Sequence, residues 1–121
     1  MNMEEIEIWM KTSEKDLRAA EINLDNELYD YAAFLAQQAA EKSLKAFYLK
    51  KFKKIRKVHD LVALARELEA PENIIQKCKE LTPAYLYNRY PDVTPVENIN
   101  EVAKDLLEHA EEIIAWVKQK L

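Results

Sequence analysis

None of the 121 residues is glycine. Glycine is the residue that reaches positive φ without steric cost and lets other groups approach the backbone closely. Its absence removes the Gly-rich phosphate loops, both the P-loop and the dinucleotide fingerprint. It also removes the tight hairpins built on Asn-Gly or Asp-Gly. Strict alternation of apolar and polar residues is scarce, so what remains is helical periodicity. A hydrophobic content of 49% is enough for a core, and the length suits a single domain over residues 1–121.

The spacing predicts a first helix over about Met3 to Asn26, with a stripe of Ile6, Trp9, Met10, Ser13, Leu17, Ala20 and Leu24. A second helix, about Leu28 to Lys51, is apolar nearly all round and alanine-rich, as suits a central rod with several neighbours. A short third helix, about His59 to Glu69, has Asp60 to cap its first turn. Pro71 suits the first position of a fourth helix carrying Ile74, Ile75, Cys78 and Leu81. Pro83 interrupts it, with Tyr85 to Tyr90 as an extension. After a loop over Pro91 to Glu97, Asn98 and Glu101 have the spacing of a capping box. The last helix carries Ile99, Val102, Ala103, Leu106, Ala110, Ile113, Ile114 and Val117. The expected fold is all-α, an up-and-down bundle of four to five helices.

Several chemistries are excluded. One cysteine leaves no internal disulfide and no multi-Cys zinc site. The residues three before His59 and His109 are Arg56 and Leu106, so the Glu-x-x-His pairs of di-iron bundles are missing and no metal site is expected. No cofactor is implied. The only serines, Ser13 and Ser43, lie inside helices, and Cys78 sits on an apolar stripe as an inert core thiol. No signal-peptide pattern opens the chain and no apolar run could span a bilayer, so a cytoplasmic setting without membrane contact is expected.

The net charge of −4 hides a contrast. Residues 50–57 hold six cations, Lys50, Lys51, Lys53, Lys54, Arg56 and Lys57, and no acid. The other 113 residues hold 12 basic and 22 acidic residues, a balance of −10. Such a run is either a solvated helix end or a phosphate-facing patch leading into His59. Two further features stand out. Gln37, Glu41 and Lys45 share one face at four-residue spacing, with Gln38 beside them. This is either a plain i, i+4 ion pair or a polar seam open to a ligand. Tyr85, Tyr87 and Tyr90 surround Arg89 and precede Asp92. They form either a stacking surface or a loop tied by an Arg89–Asp92 pair.

Three segments, taken in order, resemble the HEPN family of small helical-bundle proteins. They are Ala33-Phe34-Leu35-Ala36-Gln37-Gln38-Ala39-Ala40-Glu41-Lys42-Ser43-Leu44-Lys45-Ala46, then His59-Asp60-Leu61, then Arg89-Tyr90-Pro91-Asp92. The resemblance spans essentially the whole chain. It implies a homodimer acting beside a minimal nucleotidyltransferase, commonly as toxin and antitoxin. Many members are metal-independent ribonucleases with an arginine followed, after four to six residues, by histidine. None of Arg18, Arg56, Arg66 and Arg89 has a histidine at that distance. The expectation is therefore a binding module for a nucleotide or RNA phosphate, formed by Gln37, Gln38, Glu41, Lys45, His59, Arg89, Tyr90 and Asp92 with the basic patch. The alternatives are an RNA endonuclease using His59 and Arg89 as variant catalytic groups, and a purely structural partner subunit.

Overall fold

The computed structural model describes residues 3–95 and 97–121. It contains α1 (Met3–Asp25), α2 (Tyr29–Phe52), α3 (Leu61–Glu67), α4 (Glu72–Leu81), a 3-10 turn (Thr82–Leu86) and α5 (Ile99–Lys120), with no strand among the described residues. The all-α reading of the sequence is thus met, with five α-helices among the described residues. Helix α2 is the hub, packing against α1, α5, α3 and the 3-10 turn. Its alanines explain why it can: Ala32, Ala33, Ala36, Ala39, Ala40 and Ala46 are all fully buried, and their small side chains let backbones approach from several sides.

Connections and cross-helix partners set the directions. Residues 26–28 alone separate α1 from α2, so the chain doubles back and the two helices run antiparallel. Ser13 Oγ donates to the Ala39 carbonyl at 2.6 Å, and Lys42 Nζ meets Asp16 Oδ2 at 2.5 Å, tying the pair near its middle. Phe47 meets Trp116 edge-on at 5.5 Å, and Lys50 Nζ donates to the carbonyls of Lys120 and Leu121 at 3.0 and 2.8 Å, so α5 runs parallel to α2. An ion pair, Lys77–Glu112 at 3.0 Å, and a contact of His109 Nε2 with Glu80 Oε2 at 2.8 Å join α4 to α5.

Local signals are met unevenly. Asp60 accepts from the amides of Val62 and Ala63 at 2.9 and 3.3 Å, capping α3 as its position suggests. Pro71 sits one residue earlier than expected, at the N-cap of α4. Asn98 does not act as a capping side chain. Its backbone is left-handed (φ 58°, ψ 24°), and side-chain capping needs an extended residue there. The reciprocal pair with Glu101 is accordingly not made among the described residues.

Both serines are consumed by structure, Ser13 on Ala39 and Ser43 on the Ala40 carbonyl. Cys78 is fully buried, and burial, with the nearby Asp60 charge, pushes its thiol up to about 12. It is no nucleophile near neutral pH.

Leu44 and Leu106, from two facing helices, are 0% and 4% exposed. Truncating either to alanine should cost about 2–5 kcal/mol in a urea unfolding titration. Losses below about 0.5 kcal/mol at both would mean that the buried faces are misassigned.

Candidate functional site

Phe34, Glu41 and Tyr48 are seven residues apart on α2. Seven residues make nearly two turns, so the three side chains stand in line on one face. Each meets a group from a later part of the chain. The Arg89 guanidinium lies over the Phe34 ring, 5.6 Å from its centroid. His59 Nδ1 lies 3.1 and 3.2 Å from the two Glu41 carboxylate oxygens. The Tyr48 hydroxyl donates to Glu67 Oε1 at 3.5 Å, and Glu67 Oε2 accepts from Arg56 Nε at 3.2 Å.

The middle level holds most of the chemistry. Glu41 is buried, yet its oxygens accept from Gln37 Nε2 at 3.0 Å and from Lys45 Nζ at 2.9 Å. Gln37 is fully buried, takes a bond from Gln38 Nε2 at 2.8 Å, and also reaches the His59 carbonyl at 3.4 Å. Lys45 lies 5.9 Å from the centre of the Trp9 ring. Burial pushes the Glu41 carboxyl upward. The hydrogen bonds from Lys45 and Gln37, the Lys45 charge and the His59 contact outweigh it and hold the group below the usual carboxylate range.

An ionised carboxylate facing Nδ1 makes that nitrogen the donor. In the neutral ring, Nε2 is then the acceptor, and it has no partner among the described residues. The imidazole is well exposed, 58% of its side chain, but it is not loose. It stacks on Tyr85 at 5.0 Å with 17° between the planes. A buried acid below and an aromatic ring alongside hold one solvent-facing imidazole in a set orientation.

The sequence-derived candidates thus fall into groups. Gln37, Gln38, Glu41, Lys45 and His59 form one connected network. Arg89 meets the same face of α2 at Phe34, seven residues before Glu41, a rise of about 10 Å along the helix axis. It pairs with no carboxylate among the described residues, so the Arg89–Asp92 tie is not made. Tyr90 and Asp92 are exposed in the following turn; the Tyr90 carbonyl accepts from Thr94 at 3.0 Å.

The basic run is not one free patch. Lys50 is held by the last two carbonyls of the chain, Lys51 by Glu69 at 3.5 Å and Arg56 by Glu67. Lys53, Lys54 and Lys57 are exposed and have no carboxylate partner among the described residues.

Sequence reasoning missed Phe34 and Glu67 as supports and Tyr85 as the stacking partner of His59. The seven-residue spacing of Phe34, Glu41 and Tyr48 was the available signal. No group of three or more His, Cys, Asp or Glu able to hold a metal occurs among the described residues. A hollow of about 650 Å³ opens elsewhere, between Phe47, Lys51, Trp116 and Lys120, and none of the groups around Glu41 lines it.

The HEPN domain family model matches residues 6–120. A crystal structure of a protein from Thermus thermophilus is 30% identical, with a TM-score of 0.87 over 98% of this chain and 100% of that one. The crystal structure of an archaeal HEPN homologue is also 30% identical, with a TM-score of 0.78 over 94% and 95% of the two chains. A HEPN domain protein from Thermotoga maritima is 26% identical, with a TM-score of 0.74 over 92% and 94%. No curated protein matches the chain.

Because the folded state holds the Glu41 carboxyl low, its ionised network stabilises the fold above the ordinary carboxylate range. That stabilisation is lost as pH falls through the lowered value. Glu41→Gln should therefore be clearly less stable than the parent at pH 7, and the gap should narrow at about pH 3. Urea titrations at both pH values check this; an equal gap at each would reject the ionised network.

Proposed function

The chain belongs to the HEPN domain family, and from that premise we propose that it is a single-domain binding module. It pairs as a homodimer in the cytoplasm, acts with a minimal nucleotidyltransferase in a toxin–antitoxin-like pair, and holds a nucleotide or RNA phosphate on the Glu41 face of α2. One observation carries the ligand reading. The face presents an oriented imidazole at Glu41 and, at Phe34 nearly two helical turns earlier, a guanidinium without an acidic partner among the described residues. Arginine is built to meet phosphate through paired N–H donors, and an Arg left unpaired beside an aromatic ring keeps those donors available. The partner and dimer readings rest on the family resemblance.

A second reading has its own support. The Glu41–His59 contact has the form of a carboxylate orienting a general base, with Nε2 turned away from the acid. In that reading His59 takes the proton of an RNA 2′-hydroxyl and Arg89 steadies the phosphate. The missing Arg-to-His spacing weighs against it, and the binding reading is preferred.

Binding is tested by anisotropy and thermal shift with AMP and short RNA. Arg89→Ala and His59→Ala should each weaken binding roughly tenfold or more, as expected when a charged hydrogen bond is lost. Unchanged affinity in both variants defeats the reading and leaves an architectural subunit. Incubating RNA without metal separates the two roles. A binding module leaves it intact, whereas cleavage by the parent that disappears in His59→Ala assigns the nuclease. Co-purification with a co-expressed minimal nucleotidyltransferase, and light scattering for the dimer, test the partners.

A further inference from the structure

We propose that the hollow at the shared C-terminal end of α2 and α5 is a second binding site, separate from the Glu41 face, and that it takes a small organic carboxylate with an aromatic body. Phe47 and Lys51 are four residues apart on α2, and Trp116 and Lys120 are four residues apart on α5. Four residues bring a side chain back to the same side of a helix one turn on, a rise of about 6 Å. The two helices run parallel, and Lys50 Nζ on the carbonyls of Lys120 and Leu121 fixes their register. Two matching aromatic–lysine pairs therefore stand side by side. The rings meet edge-on at 5.5 Å, and the lysines follow one turn later.

The hollow that these four side chains line holds about 650 Å³, the size range of sites for small organic ligands. Leu68 and Pro71, from the connection between α3 and α4, add apolar wall. Trp116 packs on the core but is only half-buried, so part of its indole faces the hollow. An indole left open in a recess is a stacking partner for an incoming ring.

The charged groups at the rim select the sign of the ligand. Lys120 is exposed, its Nζ lies 5.9 Å from the centre of the Trp116 ring, and it has no carboxylate partner among the described residues. Lys51 Nζ lies 3.5 Å from Glu69 Oε2 and 5.3 Å from the centre of the Phe52 ring. Glu69 is the one acid among the described residues lining the hollow. Its side chain is 85% exposed, so its pair with Lys51 is loose and contributes little. Two lysines less one acid leave the rim at +1, which a single carboxylate balances. That carboxylate displaces Glu69 from Lys51 and reaches Lys120 with its other oxygen. A cationic ligand would meet two ammonium groups, and an uncharged ring gains only the aromatic floor. The last carbonyls of α5 would oppose an anion, but Lys50 occupies them. The ligand is thus a ring with an anionic group about one helical turn away.

The probe is naphthylacetate, with naphthylacetamide as its uncharged counterpart. Binding is followed by calorimetry and by the indole N–H signals of the two tryptophans in an NMR titration. The acid should bind roughly tenfold or more tightly than the amide, because only the acid offers the lysines a charged acceptor. Lys51→Ala and Lys120→Ala should each weaken the acid about tenfold and leave the amide unchanged. The Trp116 signal should move, while that of Trp9, beside Lys45, should stay. Melting curves check that the lysine variants fold, and the comparison of acid with amide on the parent protein does not depend on them. Equal affinity for acid and amide, unchanged acid affinity in either folded lysine variant, a shift confined to Trp9, or no binding at millimolar concentration each overturns the inference. The reading of the Glu41 face stands or falls separately, on AMP and RNA.

Discussion

A carboxylate taken out of water in the middle of a helical bundle must be met by donors, since leaving it unpaired would cost several kcal/mol. Glu41 is in that position, and the way it is met organises the surroundings. Gln37 and Lys45, one turn before and one turn after, supply donors from α2 itself. The remaining donor is His59, which arrives from a different part of the chain. Docking of His59 determines where the segment between α2 and α3 ends and so where Asp60 stands to cap α3. The start of α3 is joined in turn to the 3-10 turn, since Thr82 Oγ1 accepts from the Leu61 amide and donates to the Cys78 carbonyl. That turn carries Tyr85, which closes the circle by stacking on His59.

Much of the fold was legible because burial along a long helix repeats with helical period. The α5 stripe from Ala103 to Val117 is buried almost as its spacing requires, and the alanine-rich α2 is central. The Gln37–Glu41–Lys45 seam was legible for the same reason, as three residues one turn apart. What sequence periodicity does not carry is which distant group lands on a given turn. Nothing local to Phe34 announces Arg89, far along the chain beyond α4, and nothing in residues 50–57 announces that Glu67 and Glu69 neutralise part of the run. Asn98 shows another limit. A capping box is a statement about residue types, but it works only if the backbone is extended, and here it is left-handed.

Charge is distributed in keeping with this division. Acidic repulsion is concentrated where α1 meets α5. There burial, together with Glu21, Glu108 and Glu112, raises the carboxyl of Glu111. Three lysines without a carboxylate partner among the described residues, Lys53, Lys54 and Lys57, lie on the segment that follows α2. A protein of net charge −4 can therefore present a locally positive line. Acids elsewhere discourage a polyanion from wrapping the remaining surface.

Among the described residues, four take up the left-handed backbone that glycine usually fills: Glu27, Lys53, Glu69 and Asn98. Three of them follow the ends of α1, α2 and α3, where such a residue turns the chain out of a helix. Each conformation costs about 1–2 kcal/mol for a residue with a Cβ atom. The compensation lies outside the native state. A polypeptide without glycine has fewer rotational states to explore when denatured, so it gives up less entropy on folding at each of those corners. The molecule thus exchanges local native strain for a stiffer random coil, and its thermal behaviour reflects the denatured ensemble as much as the packed one.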